Sequence, residues 1–175
     1  MRRPAPEARR HAALPALGHE YQARLATPFA VLGIRTIGAR LSEIVYLPKG
    51  AATLAPQNQL AEKTCRQIER YLDDPQFRFD LPFDWIGTPF RQRVWQAIHA
   101  IPCGRTMTYG EVARKLKSAP RAVGGACGDN RLPLVIPCHR VVASGGIGGF
   151  MHASSGDPLA IKRWLLMHEQ ADEHA

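Results

Sequence analysis

Polar and apolar residues alternate with period two in the stretch TPFAVLGIRTIGARLSEIVYLPKG, which starts at Thr27. The pattern predicts two β-rich runs, and Gly38-Ala39-Arg40 between them predicts a hairpin. The period then lengthens. In QLAEKTCRQIERYLDD the positions Ala61, Cys65, Ile68 and Leu72 recur at helical spacing, which makes Cys65 a core residue, and Asp73-Asp74-Pro75 ends the helix. PQFRFDLPFDWIG predicts one more strand and a linker, with a domain boundary near Ile86-Gly87. Residues 1–25 lack periodicity and predict a flexible basic arm.

The second half opens on a strong helix start, Thr88 as N-cap with Pro89 at the first helical position. Phe90, Val94, Ala97, Ile98 and Ile101 line one face of that helix, and PCGRTM breaks it. Thr108-Tyr109-Gly110-Glu111 has the capping-box pattern and predicts a short helix to about Lys117. Ser118-Ala119-Pro120 starts another, RAVGGACGDN. Two short helices joined by a tight turn predict a helix-turn-helix, whose second helix would lie against DNA. A glycine-rich loop, SGGIGGF, follows. Asp157 then caps a last helix, PLAIKRWLLMHEQA, with Ile161, Trp164, Leu165 and His168 facing inward.

Charge adds a partner to this outline. Twenty-three Lys and Arg against fifteen Asp and Glu give a net +8. The excess is concentrated, with seven basic residues against two acidic ones between residues 99 and 140. Such a balance suits a polyanion, nucleic acid before an anionic membrane surface. No apolar run approaches the roughly 20 residues of a membrane span. MRRPAPEARRHAALPALG is too broken by prolines to read as a signal peptide. The expectation is a cytoplasmic, nucleoid-associated protein with reduced thiols.

The segment LVIPCHRVV, residues 134–142, carries the candidate chemistry. An apolar run stops at Pro137, presents Cys138, adds His139 and Arg140, and resumes as Val141-Val142. Free cysteine is most often plain core. Cationic neighbours, however, favour the thiolate, which is the nucleophile, and Pro137 restricts the approach to the turn. Asn130 is placed to hydrogen-bond the backbone of this turn. On spacing alone, inert core and reactive thiol both stand. Cys103, Cys127, Cys138 and His139 match no paired metal-ligand spacing, so no metal is expected.

NRLPLVIPCHRVV, preceded by PRAVGGACGDN and TYGEVA, resembles the O6-alkylguanine-DNA alkyltransferases, the methylated-DNA–protein-cysteine methyltransferases. The resemblance covers roughly Thr88 to Glu169. It implies an α+β fold: a small RNase H-like β-rich domain over 26–86, then a helix-dominated winged-helix or helix-turn-helix domain over 87–175. It implies that Cys138 accepts an alkyl group from a flipped O6-alkylguanine in double-stranded DNA, once per molecule and without a cofactor, with the protein acting as a monomer. His139 and Glu169 match the family's proton relay, and Asn130 supports the turn. Arg121 matches the arginine that fills the gap in the base stack. Tyr109 matches the tyrosine that turns the nucleotide, and it is the expected proton donor to the leaving purine. Cys138 and Val141 would read the base edge through their backbones, and Arg140 joins the expected DNA contacts.

Two departures bear on the alkyl pocket. MHASSGDP after Phe150 is longer than the loop common in relatives, and Phe150 replaces a frequent tyrosine. Two other function classes compete. A lesion sensor that binds alkylated DNA without repairing it would carry tryptophan in place of Cys138. A Cys-His hydrolase would need His139 as base, a geometry adjacent residues seldom reach.

Overall fold

The computed structural model describes residues 20–152 and 157–171. Its N-terminal layer is an antiparallel sheet of β1 (Ala23–Ala26), β2 (Val31–Ile37) and β3 (Arg40–Leu47), in the order β1-β2-β3. The predicted hairpin is β2–β3, closed by Gly38 at φ 55°, a conformation glycine adopts without a Cβ penalty. The first strand is a correction. Residues 23–25, assigned to the arm, pair with Ile34, Gly33 and Leu32. The remaining arm, residues 1–19, lies outside the described residues.

Helix α1 (Gln59–Asp73) is capped by Asn58, whose side chain accepts from Ala61 N, and it buries Ala61, Cys65 and Ile68 as its spacing predicts. Tyr71, not Leu72, is the buried residue in its last turn. The strand predicted in residues 76–86 does not form. This segment makes one isolated bridge, Phe83 to Leu41, and packs its aromatic rings against one another, against α1 and against His99.

The second half holds α2 (Pro89–His99), β4 (Met107–Thr108), α3 (Tyr109–Leu116), α4 (Pro120–Gly128), β5 (Val141–Val142) and α5 (Asp157–His168). Thr88 caps α2 by accepting from Arg91 N. Thr108 and Glu111 form the capping box of α3 in full. Lys117 takes the left-handed conformation at φ 53°, turning the chain into α4 and completing the helix-turn-helix. Asp157 is the first residue of α5 and not a cap outside it. The class is α+β, as the sequence implies. One apolar cluster runs without a break from Ile34 and Ile68, through Val94 and Val141, to Leu165.

Candidate active site

Cys138, His139 and Arg140 form a single 3-10 turn between the buried run Leu134-Val135-Ile136 and β5. Parallel pairing of β5 with β4 anchors its exit, Met107 opposite Val141 and Thr108 opposite Val142. Asn130 holds its entry, donating from Nδ2 to the Ile136 carbonyl at 2.8 Å and accepting from Leu132 N at 3.0 Å. The turn is therefore fixed at both ends by residues that belong to the helix-turn-helix half.

Behind the turn lies a closed polar network. His139 is 1% exposed and its Nε2 stands 2.8 Å from Glu169 Oε1. The same oxygen accepts from Tyr71 Oη at 2.8 Å and Arg140 Nη2 at 2.9 Å, while Oε2 accepts from Arg140 Nε at 2.9 Å. Burial alone would raise the Glu169 carboxyl; His139 and the Arg140 guanidinium hold it well below the carboxylate range. Burial also keeps the imidazole below its ordinary value, against the pull of Glu169. An ionised Glu169 facing a neutral imidazole places the proton on Nε2. The lone pair is then on Nδ1, a buried atom with no hydrogen-bond partner among the described residues.

On the other side of the turn, Cys138 opens onto a cavity of about 340 Å³, lined also by Tyr109, Gly124, Cys127, Phe150 and His152. That volume falls in the range of small-molecule pockets. Burial raises the Cys138 thiol above its ordinary value, and the Asn130 side chain and the charge of Lys162 pull it back. Burial raises the Cys127 thiol too, so neither is a thiolate at rest. Tyr109 donates to the Gly149 carbonyl at 3.0 Å, and burial raises its phenol, which stays protonated.

Lys162 was not legible as a site residue. It is 0% exposed on α5, and its ammonium donates to the carbonyls of Val141 at 2.6 Å and Gly149 at 2.8 Å. The Val141 carbonyl is therefore already engaged, while its N–H donates to the Cys138 carbonyl. Burial lowers the Lys162 pKa to about 8. Its one sequence signal was a basic residue directly beside the inward-facing Ile161.

Arg121 stands exposed on α4, apart from the network. Arg140, expected at the DNA, gives Nε and Nη2 to Glu169 and Nη1 to the Ile101 carbonyl. The pocket loop singled out in the sequence is described only as far as His152. Its residues 153–156 lie outside the described residues.

Residues 89–171 match the family model of the 6-O-methylguanine DNA methyltransferase DNA-binding domain. The regulatory protein ada of Salmonella typhimurium is 43% identical over 98 residues, 54% of this chain but only 28% of that protein's length. The methylated-DNA–protein-cysteine methyltransferase of Methanocaldococcus jannaschii is 34% identical over 138 residues, 77% of this chain and 80% of that one. Among solved structures, the Mycobacterium tuberculosis protein OGT in complex with DNA superposes with a TM-score of 0.71 at 31% identity. The match covers 85% of this chain and 93% of that one.

Proposed function

This chain belongs to the O6-methylguanine-DNA methyltransferase family, and from that premise we propose that it repairs DNA directly, moving the O6-alkyl group of guanine onto Cys138. One observation carries the reading. The thiol that the 3-10 turn presents faces a cavity one wall of which is α4, the second helix of the helix-turn-helix. A nucleotide extruded from a duplex lying on α4 would enter at the thiol.

The chemistry follows from the protonation states. His139 Nδ1 takes the Cys138 proton through one water, and the Nε2–H stays fixed on Glu169. The thiolate attacks the alkyl carbon, an S–C bond forms and the C–O6 bond breaks with its electron pair left on the purine. Tyr109, kept protonated by burial, supplies a proton to that leaving group. The thioether has no leaving group that this site could expel, so each molecule acts once. Arg121 occupies the place left by the extruded nucleotide, and the protein acts as a monomer.

The test is intact mass after mixing with duplex containing O6-methylguanine, with plain duplex and Cys138→Ala as controls. One added methyl, absent from both controls, is the expected result. Cys127 lines the same cavity, so a methylated Cys138→Ala would move the acceptor assignment to it. No mass change with lesion binding retained would make the protein a sensor and sink the transfer mechanism.

Arg121→Ala separates DNA handling from chemistry. Transfer from duplex should fall by about tenfold or more, comparable to losing 1–3 kcal/mol of contact. Reaction with free O6-benzylguanine, which needs no extrusion, should stay at the wild-type rate. Binding to plain duplex should weaken steeply with salt, as phosphate neutralisation requires. Equal losses on both substrates would show that Arg121 supports the fold and not the extruded state.

A further inference from the structure

Cys138 does not face its cavity alone. Cys127, in the last turn of α4, is a second free and buried thiol in the same wall. The two also share a second cavity of about 260 Å³, between the reactive turn and β3, lined by Ile44, Asn130 and Pro133. The other cysteines are placed elsewhere. Cys65 lines a groove of the N-terminal layer and Cys103 a cavity behind the turn, neither together with Cys138. One buried cation serves both sulfurs, since the charge of Lys162 lowers the Cys127 thiol as well as that of Cys138. Alkyl transfer uses only one of the pair.

We propose that Cys127 is the resolving partner of Cys138, and that hydrogen peroxide entering the cavity closes a reversible disulfide between them. The first step rests on the proton path given above: His139 Nδ1 takes the Cys138 proton through one water, and the thiolate attacks the peroxide. An S–O bond forms, the O–O bond breaks, and the departing hydroxide leaves as water with that proton. The Cys127 sulfur then attacks the Cys138 sulfenic acid. An S–S bond forms, the S–O bond breaks, and the Cys127 proton leaves with the hydroxide as a second water. The peroxide is reduced and the two thiols are oxidised.

The fold lets one sulfur come to the other. Asn130 and β5 fix the reactive turn at both ends, so Cys138 stays in place. The yielding partner is α4. It has no side-chain cap at its start, and Gly124, Gly125 and Gly128 flank Cys127, glycine being among the residues that hold a helix least. The bridge ties α4 to the turn and occupies the acceptor sulfur, so methyl uptake stops until a dithiol reductant reopens it. It also spares Cys138 from sulfinic acid, which ordinary thiols do not reverse.

Hydrogen peroxide added to the reduced full chain, and to Cys127→Ala, tests this by intact mass and peptide mapping. Trypsin cuts after Arg121, Arg131 and Arg140, which puts the two cysteines on separate peptides. Wild type should become lighter by two hydrogens and yield peptides 122–131 and 132–140 joined, to be released by dithiothreitol. Its methyl uptake from O6-methylguanine duplex, against its own untreated sample, should be lost on oxidation and return with dithiothreitol. Cys127→Ala should instead gain oxygen on Cys138 and fail to recover its own untreated uptake after reduction. Wild type that gains oxygen on Cys138 without the joined peptides, or that bridges to Cys65 or Cys103, overturns the proposal and leaves Cys138 as alkyl acceptor. Wild type that joins Cys127 to Cys138 yet never takes up methyl keeps the disulfide and removes the repair reading.

Discussion

Glu169→Gln is expected to slow alkyl transfer by on the order of 10²-fold, the scale of a lost general base. It should also destabilise the fold by roughly 3–5 kcal/mol, the usual cost of breaking a buried ion pair from one side. Three donors converge on Oε1 and a fourth on Oε2. A glutamine amide offers one acceptor oxygen, and its NH₂ must then face a donor. Arg140, whose side chain is 12% exposed, loses its counter-charge, and His139 keeps at most a neutral acceptor in place of the carboxylate that fixes its proton on Nε2. Single-turnover kinetics followed by mass, with urea unfolding in parallel, separate the two effects. A destabilised variant with wild-type transfer would end the relay at His139.

The same network sets the sign of the acid response. The Glu169 carboxyl sits below its unfolded value, so its stabilisation is present above about pH 4 and is lost as pH falls towards the folded value. His139 is also depressed, so the unfolded chain binds more protons from about pH 6.5 downward, and this too lowers stability as pH falls. Both groups act in one direction. Wild type should lose stability on acidification below about pH 6.5, and Glu169→Gln should lack the portion below about pH 4.

These effects depend on contacts that sequence proximity does not contain. Thr108 and Glu111 were legible as a capping box, and Thr88-Pro89 as a helix start, because each bond closes within three residues. Asn130 was legible as the support of the turn for the same reason, its target Ile136 lying six residues on. Glu169 could be read only through the resemblance, since Tyr71 reaches it across 98 residues and His139 across 30. Strand β1 was missed because ARLA is only four residues long, and its place is set by pairing with β2. Residues 76–86 show the opposite error. FRFDLPF alternates as a strand does, but Pro82 and its aromatic packing leave it a single bridge to β3. The partner of Arg140 was not legible either, because the buried carboxylate that engages it is Glu169, directly after α5 and 29 residues on.

Lys162→Met should slow transfer by about tenfold or more, comparable to the 1–3 kcal/mol of a buried polar group left unpaired. Methionine keeps the length and apolar stem of the side chain, so the variant tests the ammonium and not the packing. Two carbonyls lose their donor. Gly149 keeps Tyr109, whereas the Val141 carbonyl, one residue beyond the reactive turn, has no other partner in the hydrogen bonds described above. The nearby positive charge also favours the Cys138 thiolate, so its removal should move the pH dependence of Cys138 alkylation by a small electrophile to higher pH. Stability carries its own signature. Because the folded Lys162 titrates at about 8, the unfolded chain binds the extra proton between there and its ordinary value near 10.4. Wild type therefore gains stability as pH rises through that window, and the methionine variant lacks the gain. Alkylation with iodoacetamide across pH 7–10, beside urea unfolding at the same pH values, reads both. A variant whose alkylation profile superposes on wild type would assign Lys162 to holding the two carbonyls alone.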